Sequence, residues 1–272
     1  MTKGAHSVAG VAVRKGREQA VMRALPDEVP VALVYNGSTQ AVMMATPDDL
    51  HDFALGFSLS EGIITDLTQI EKFEIVKHGQ GLEAQMWLSD DRADALAARR
   101  RFMAGPVGCG LCGIDSLDQA LRDLPAVTSD LTLAADDIPA AMAALRAAQP
   151  LHDQTRAVHA AGFYVAGQGI VAAREDVGRH NALDKVIGAM ARAGVSGAGG
   201  AIAITSRVSV EMVQKCAVAG APVLIAVSAP TSLAVQTALD AGITIAALAR
   251  DDAFEIFTHS ARIKTGATPH VA

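Results

Sequence analysis

The chain has 272 residues, half of them apolar and 19% charged, a composition that builds a packed core and not a disordered chain. A net charge of −6 and only 4% aromatic residues argue against general affinity for nucleic acid or an anionic membrane, while leaving room for a local basic pocket. No apolar run is long enough to cross a bilayer, and the opening "MTKGAHSVAGVAVRKG" lacks the sustained apolar stretch of a secretory signal.

Cys109, Cys112 and Cys216 are the only cysteines, an odd and small number for this length. That fits a reducing compartment, and the expected location is the cytoplasm.

In chain order, "VPVALVYNG" and "STQAVMMAT" read as two strands joined at Asn36-Gly37, a strong hairpin signal. A helix follows in "TPDDLHDFALGFSLSEGII". Thr46 is read as its N-cap, Pro47 as its first residue, and Leu50, Phe53, Ala54 and Phe57 as one apolar face. "FEIVKHGQGLEAQMWLS" reads as another hairpin. "DRADALAARRRFMAG" reads as a short basic helix, either a solvated face or a patch turned toward an anion or partner. A loop from Ser129 leads to the Ala-rich helix "AAMAALRAAQ".

The style then changes. "GFYVAGQGIVAARED" reads as a strand pair. "GAIAITS", "APVLIAVS" and "ITIAALAR" read as strands, and the helices among them close on Gly194, Gly220 and Gly242. Continuous apolar strands alternating with helices predict a buried parallel sheet in an α/β sandwich. "GVSGAGGAIAIT" is Gly-rich but precedes a strand, so it reads as a flexible turn and not a dinucleotide fingerprint. The expected division is an N-terminal α+β domain over 1–105, a mobile cysteine-bearing loop and connector over 106–128, and an α/β domain over 129–272.

Ligands of open α/β sheets bind outside the carboxyl ends of the strands. Those tips carry Arg179, His180 and Asn181; Ser206 and Arg207; Ser228 and Thr231; and Arg250, Asp251 and Asp252. If the strands are neighbours, these residues share one rim. Arg179, Arg207 and Arg250 could then clamp phosphates near helix N-termini. Asn181 with Asp184 has the spacing of a capping box, with ligand contact as the other reading. Glu175 and Asp176 either orient Arg179 or a ligand amine, or sit in a solvated turn. His159 reads as structural.

The stretch "GCGLCG" admits three chemistries: a metal site, a disulfide or redox pair, and a nucleophilic sulfur that carries a persulfide. No second Cys pair has zinc-like spacing, and His159 is followed by Ala160-Ala161, not by the Glu of a zinc deaminase. No tightly held metal is expected. Cys216 lies mid-helix and reads as a small buried hydrophobe.

"REDVGRHNALDKVIG", "SVEMVQKCAVAGAPVLIAVSAPTSLAV", "GCGLCG" and "DLHDFALGFSLSEGII" together resemble the formate dehydrogenase accessory sulfurtransferases of the FdhD family, from about Pro30 to Thr258. The resemblance implies a cytidine-deaminase-like three-layer α/β large domain without deaminase activity, beside a smaller N-terminal α+β domain. It implies that sulfur from a cysteine desulfurase is held as a persulfide on Cys109, with Cys112 assisting. The implied acceptor is the bis-molybdopterin guanine dinucleotide form of the molybdenum cofactor, destined for formate dehydrogenase. The family's cofactor-binding stretch falls on Leu248, Ala249, Arg250, Asp251, Asp252 and Ala253, and a homodimer is implied. The chain departs from the family pattern in three places. Thr205-Ser206-Arg207 replaces Ser-Gly-Arg, Thr155-Arg156 replaces Thr-Gly, and Leu248 stands where Phe is usual.

Overall fold

A computed structural model describes residues 4–102 and 123–266. Cys109, Cys112 and most of the expected connector over 106–128 lie outside the described residues.

The chain opens with a ribbon that sequence reading passed over. β1 (Ala5–Arg14) and β2 (Arg17–Pro26) pair antiparallel around Lys15 and Gly16, both at positive φ. Val11, Val13 and Met22 remain more than half exposed on it, so no alternation of buried and exposed residues marks its strands.

Next come β3 (Val29–Tyr35), β4 (Ser38–Ala45), α1 (Leu50–Ser60), β5 (Ile70–His78), β6 (Gly81–Leu88) and α2 (Asp90–Phe102). The four strands form a sheet in the order β4-β3-β6-β5, with β3 parallel to β6. Asn36 and Gly37 both have positive φ, as a two-residue hairpin turn requires. Phe53, Ala54 and Phe57 of α1 close the core over Leu33, Tyr35, Ala84 and Met86.

α1 starts later than its sequence signals. Its N-cap is Asp49, at φ 53°, and not Thr46. Thr46 is buried instead as a tie to the second half of the chain. Its amide donates to Asp176 at 3.0 Å, its hydroxyl accepts from the Val177 amide at 3.2 Å, and its carbonyl accepts from Lys185 at 3.0 Å. Tertiary partners that fix Thr46 in this way outweigh its value as a cap.

The second half begins at β7 (Leu133–Ala134), α3 (Asp137–Ala147) and α4 (Pro150–Thr155). It continues with β8 (His159–Val165), β9 (Gly169–Asp176), α5 (Arg179–Arg192), β10 (Ala201–Ile204), α6 (Val210–Val218), β11 (Val223–Ala226) and α7 (Ser232–Ala241). β12 (Thr244–Arg250), β13 (Ala253–Ile256) and β14 (Ile263–Lys264) complete it, and β14 pairs with β7.

Six strands make a mixed sheet in the order β13-β12-β11-β10-β8-β9, with β10, β11 and β12 parallel. Alternate side chains divide between two cores. Phe163, Ile202, Leu224 and Ile245 pack against α5, α6 and α7, whereas Ala203, Ile225 and Ala246 pack against α3. The sheet is thus covered on both faces, which is why its strands read as unbroken apolar runs. The helix ends at Gly194, Gly220 and Gly242 are as expected, each glycine having positive φ. Two of the glycines before β10 serve close packing: a Cβ on Gly197 would overlap the Ala219 carbonyl, and one on Gly200 the Tyr164 carbonyl.

The two halves meet where α1 crosses α5. The contacts recur with matching spacing: Asp52, Gly56 and Ser60 on α1, and Asp184, Gly188 and Arg192 on α5. Arg192 donates to Asp52 at 2.6 Å, and Ser60 donates to Asp184 at 2.7 Å. Lys215 of α6, itself buried, joins Asp184 at 2.8 Å and Glu61 at 3.0 Å. Burying these charges is tolerable only because each has a close partner.

Candidate functional site

The carboxyl ends of β9, β10, β11 and β12 lie along one edge of the sheet. β10, β11 and β12 are parallel, and β9 regains that direction because β8, antiparallel to both β9 and β10, stands between them. The adjacency on which a shared rim depended therefore holds for three strands. The fourth is one place further along. At about 4.8 Å per strand the rim runs roughly 19 Å from the β12 tip to the β9 tip. Arg250 and Arg179 stand at its two ends and Arg207 between them.

Each tip is built differently. At β9, Asp176 is fully buried and holds the turn into α5. It accepts from the Gly178 amide at 2.7 Å and from Asn181 at 2.9 Å, and pairs with Lys185 at 2.7 Å. Gly178, not Asn181, is the N-cap of α5. Asn181 also donates to the Met44 carbonyl at 2.8 Å, and Asp184 faces Lys215, so the capping box anticipated for this pair does not form. Neither carboxylate before Arg179 is in a solvated turn. Glu175 accepts from the first amides of α4, those of Leu151 and His152, at 2.8 and 2.7 Å. This construction leaves Arg179 and His180 in the first turn of α5, partly buried on the rim.

At β10, Thr205 ties back to Ala160 of β8 through its amide and its hydroxyl. Ser206 is buried and donates to the Arg207 carbonyl at 3.1 Å, and Arg207 is exposed. The next residues lace two tips together: Val208 bridges Pro230, and the Thr231 amide donates to the Val208 carbonyl. Thr231 caps α7, accepting from the Ala234 amide at 3.3 Å, and Ser228 is half-buried beside it.

At β12 the ladder is irregular between Ala247 and Arg250. Leu248 and Asp251 have φ of 55° and 51°. Ala249 turns into the core on the α3 side, while Arg250, Asp251, Asp252 and Ala253 are exposed at the turn into β13.

The β9 end gathers groups that sequence reading left aside. His159, at the start of β8, is half-buried. Burial lowers its pKa, and the charges of Arg179, His152 and His180 lower it further. Glu211, in the first turn of α6, lies 3.9 Å from His180 Nε2. The His180 imidazole, and after it the Ser209 hydroxyl and the residue's own amide, bring Glu211 down to about 2 against the opposing effect of burial. Arg179 Nε and His180 Nε2 are buried without a hydrogen-bond partner. Nothing in the spacing of Ser209 and Glu211 marked them; only the packing of α5 beside α6 brings them to His180.

Among the described residues, no cluster of three or more His, Cys, Asp or Glu side chains could hold a metal ion, and no helix is long and apolar enough to cross a membrane. Cys216 is fully buried against the α5 and α6 core, as its mid-helix position suggested, and burial pushes its thiol far up.

An α/β sheet with such a rim is thus joined to a smaller sheet through crossed helices. The chain belongs to the FdhD/NarQ family, whose model matches residues 26–264. It is 58% identical over 257 residues to the sulfur carrier protein FdhD of Agrobacterium fabrum, covering 94% of this chain and 95% of that one. The protein of the same name from Brucella abortus is 55% identical over 246 residues, covering 90% and 91%. The crystal structure of a protein assigned as a formate dehydrogenase accessory protein from Desulfotalea psychrophila superposes with a TM-score of 0.76 at 26% identity. That match covers 96% of this chain and all of the other.

Proposed function

We propose that this protein is a sulfur carrier for the maturation of formate dehydrogenase. Cys109 accepts sulfur from a cysteine desulfurase as a persulfide, and Cys112 assists or relays it. The rim holds the acceptor, the bis-molybdopterin guanine dinucleotide form of the molybdenum cofactor, before that cofactor passes to formate dehydrogenase in the cytoplasm. One observation carries this reading beyond the names of the relatives. Of three cysteines, Cys216 is sealed in the core with its thiol held protonated, so sulfur chemistry falls to Cys109 and Cys112.

The rim supports the choice of acceptor. Arginines spread over roughly 19 Å suit an extended ligand bearing several phosphates. Helices covering both faces of the sheet support a cytidine-deaminase-like reading of the second half, and the buried Ala160 and Ala161 after His159 leave no catalytic Glu for deamination.

Chain length supports delivery. The described chain resumes at Asp123 in a groove between α6 and α7, which includes Val210 and Leu233 from the first turns of those helices. Cys109 lies fourteen residues before Asp123. Fourteen residues span up to about 48 Å, whereas the ten-residue α7 is about 15 Å long. From that side the chain does not hold Cys109 away from the rim.

Mass spectrometry after incubation with a cysteine desulfurase and cysteine tests the proposal. Added sulfur is expected on the Cys109 peptide, and a Cys109→Ala variant that acquires sulfur at the full level would overturn it. Formate dehydrogenase maturation that survives loss of both Cys109 and Cys112 would instead favour a cofactor chaperone that moves no sulfur. We read the working unit as a homodimer, consistent with the exposed apolar face of the β1–β2 ribbon; sedimentation as a stable monomer at micromolar concentration would remove that part.

A further inference from the structure

The family match begins at Pro26, the last residue of the β1–β2 ribbon, and so gives the ribbon no role. Its ten-residue strands pair with each other and with no third strand among the described residues. α4 packs against it, and Ala5, Ala24 and Pro26 at its root are partly covered. Beyond the root most of its side chains are exposed. A two-stranded ribbon is marginal in water unless something covers a face.

Directly paired residues of an antiparallel ribbon point to the same side. The register therefore sorts the side chains into two faces. The face with Ala9, Val11, Val13, Ala20 and Met22 has Glu18 as its one charge. Val11, Val13 and Met22 are 63, 66 and 67% exposed there. The opposite face carries Arg14, Arg17 and Arg23, and Lys15 lies in the turn. The ribbon thus holds four cations and one carboxylate, net +3, in a chain of net −6, so the rest of the chain carries −9.

A matching surface lies on the four-stranded sheet. Val31 and Leu33 of β3 point into the core beneath α1. Pro30 and Ala32, between and before them, therefore face the other way. Paired to these are Met44 and Val42 of the edge strand β4, 49 and 55% exposed. Glu83 of β6, opposite Ala32, sets a carboxylate beside this apolar strip.

We propose that two copies of this chain exchange ribbons, the apolar face of each ribbon lying along β4 and β3 on the outer face of the other copy's four-stranded sheet. The inference rests on reading the working unit as a homodimer and supplies the surfaces that form it. Area decides against two ribbons simply stacking on each other. A ribbon face about 34 Å by about 10 Å offers roughly 340 Å². One ribbon-to-ribbon contact would then bury about 700 Å² in all, short of the roughly 1,200 Å² of a stable interface. Reciprocal exchange makes such a contact twice, about 1,400 Å², which reaches that size. It also sets each basic ribbon against an acidic body, where stacking would set it against another basic ribbon.

Sedimentation of the full-length protein at micromolar concentration tests this. A ribbon variant, Val11→Asp with Val13→Asp, and a sheet variant, Val42→Asp with Met44→Asp, are each expected to raise the dimer dissociation constant by roughly 100-fold or more, because each would bury charge against an apolar face. Mixing the two variants is expected to bring part of the dimer back, since an intact ribbon then meets an intact sheet once in the mixed pair. Dimerisation unchanged in either variant, or no recovery on mixing, would overturn the exchange and leave the homodimer reading standing. A monomeric wild type would overturn that reading and this inference with it. Should the sheet variant not fold, hydrogen exchange of the wild type decides. The amides of β1 and β2 are expected to lose protection when the dimer is diluted apart, and protection unchanged by dilution would overturn the exchange.

Discussion

Gly56 of α1 and Gly188 of α5 stand at the crossing of their helices, each against the carbonyl of the residue four places before the other. The Asp184 carbonyl lies on Gly56, and the Asp52 carbonyl lies on Gly188. Either glycine given a Cβ would overlap that oxygen, and backbone cannot yield as a side-chain tip can. Gly56→Ala and Gly188→Ala are each expected to cost about 3 kcal/mol or more, since overpacking against backbone is the severe case. Urea unfolding followed by circular dichroism measures this, and a loss under 1 kcal/mol would show that the helices can part cheaply.

Lys215 and Asp184 form the buried pair beside that crossing. Lys215→Met alone leaves the carboxylate without its cation and is expected to cost about 3 to 5 kcal/mol. Lys215→Met with Asp184→Leu should recover much of that loss, because two apolar groups need no partner. Equal losses in the single and double variants, by the same unfolding assay, would show that shape rather than charge sets the cost.

Glu211 gives a pH signature. Its pKa falls from 4.5 to about 2 in the folded protein. A depressed carboxylate contributes stability that is fully present above its unfolded pKa and is lost as pH falls through the folded one. Wild type is therefore expected to exceed Glu211→Gln by up to about 3 kcal/mol near neutral pH, the difference shrinking between roughly pH 4.5 and 2. Thermal melts of both forms across that window test the sign. A difference that grows on acidification would contradict it.

The second half was legible because its strands are buried on both faces and its helices end on glycine, signals that persist without tertiary knowledge. The rim followed from strand order, which apolar runs imply but do not state. Harder to see were residues whose partners lie far along the chain. Thr46 carries every local mark of an N-cap, yet it bonds to Asp176, Val177 and Lys185, more than 125 positions away. Asn181 and Asp184 have capping-box spacing but serve the contact with the first half. Ser209 and Glu211 have no local mark; they matter because α6 lies beside α5. The β1–β2 ribbon escaped notice for the opposite reason, since its apolar residues are exposed.

Arg156 ends α4 at φ 58°, a left-handed conformation that glycine adopts without strain. It stands where the family pattern has glycine. Arg156→Gly is expected to stabilise the protein by about 1 kcal/mol, read as a higher melting temperature. A lower one would mean that the arginine side chain contributes more than its backbone costs.

Cys216 has a use in such measurements. A thiol sealed in the core neither alkylates nor takes up sulfur while the protein is folded, and becomes reactive when it unfolds. Its tryptic peptide should stay unmodified by iodoacetamide in native buffer and be labelled in denaturant. Every preparation thus carries its own blank: modification at Cys216 reports the unfolded fraction, and modification elsewhere can be read against it in the same spectrum.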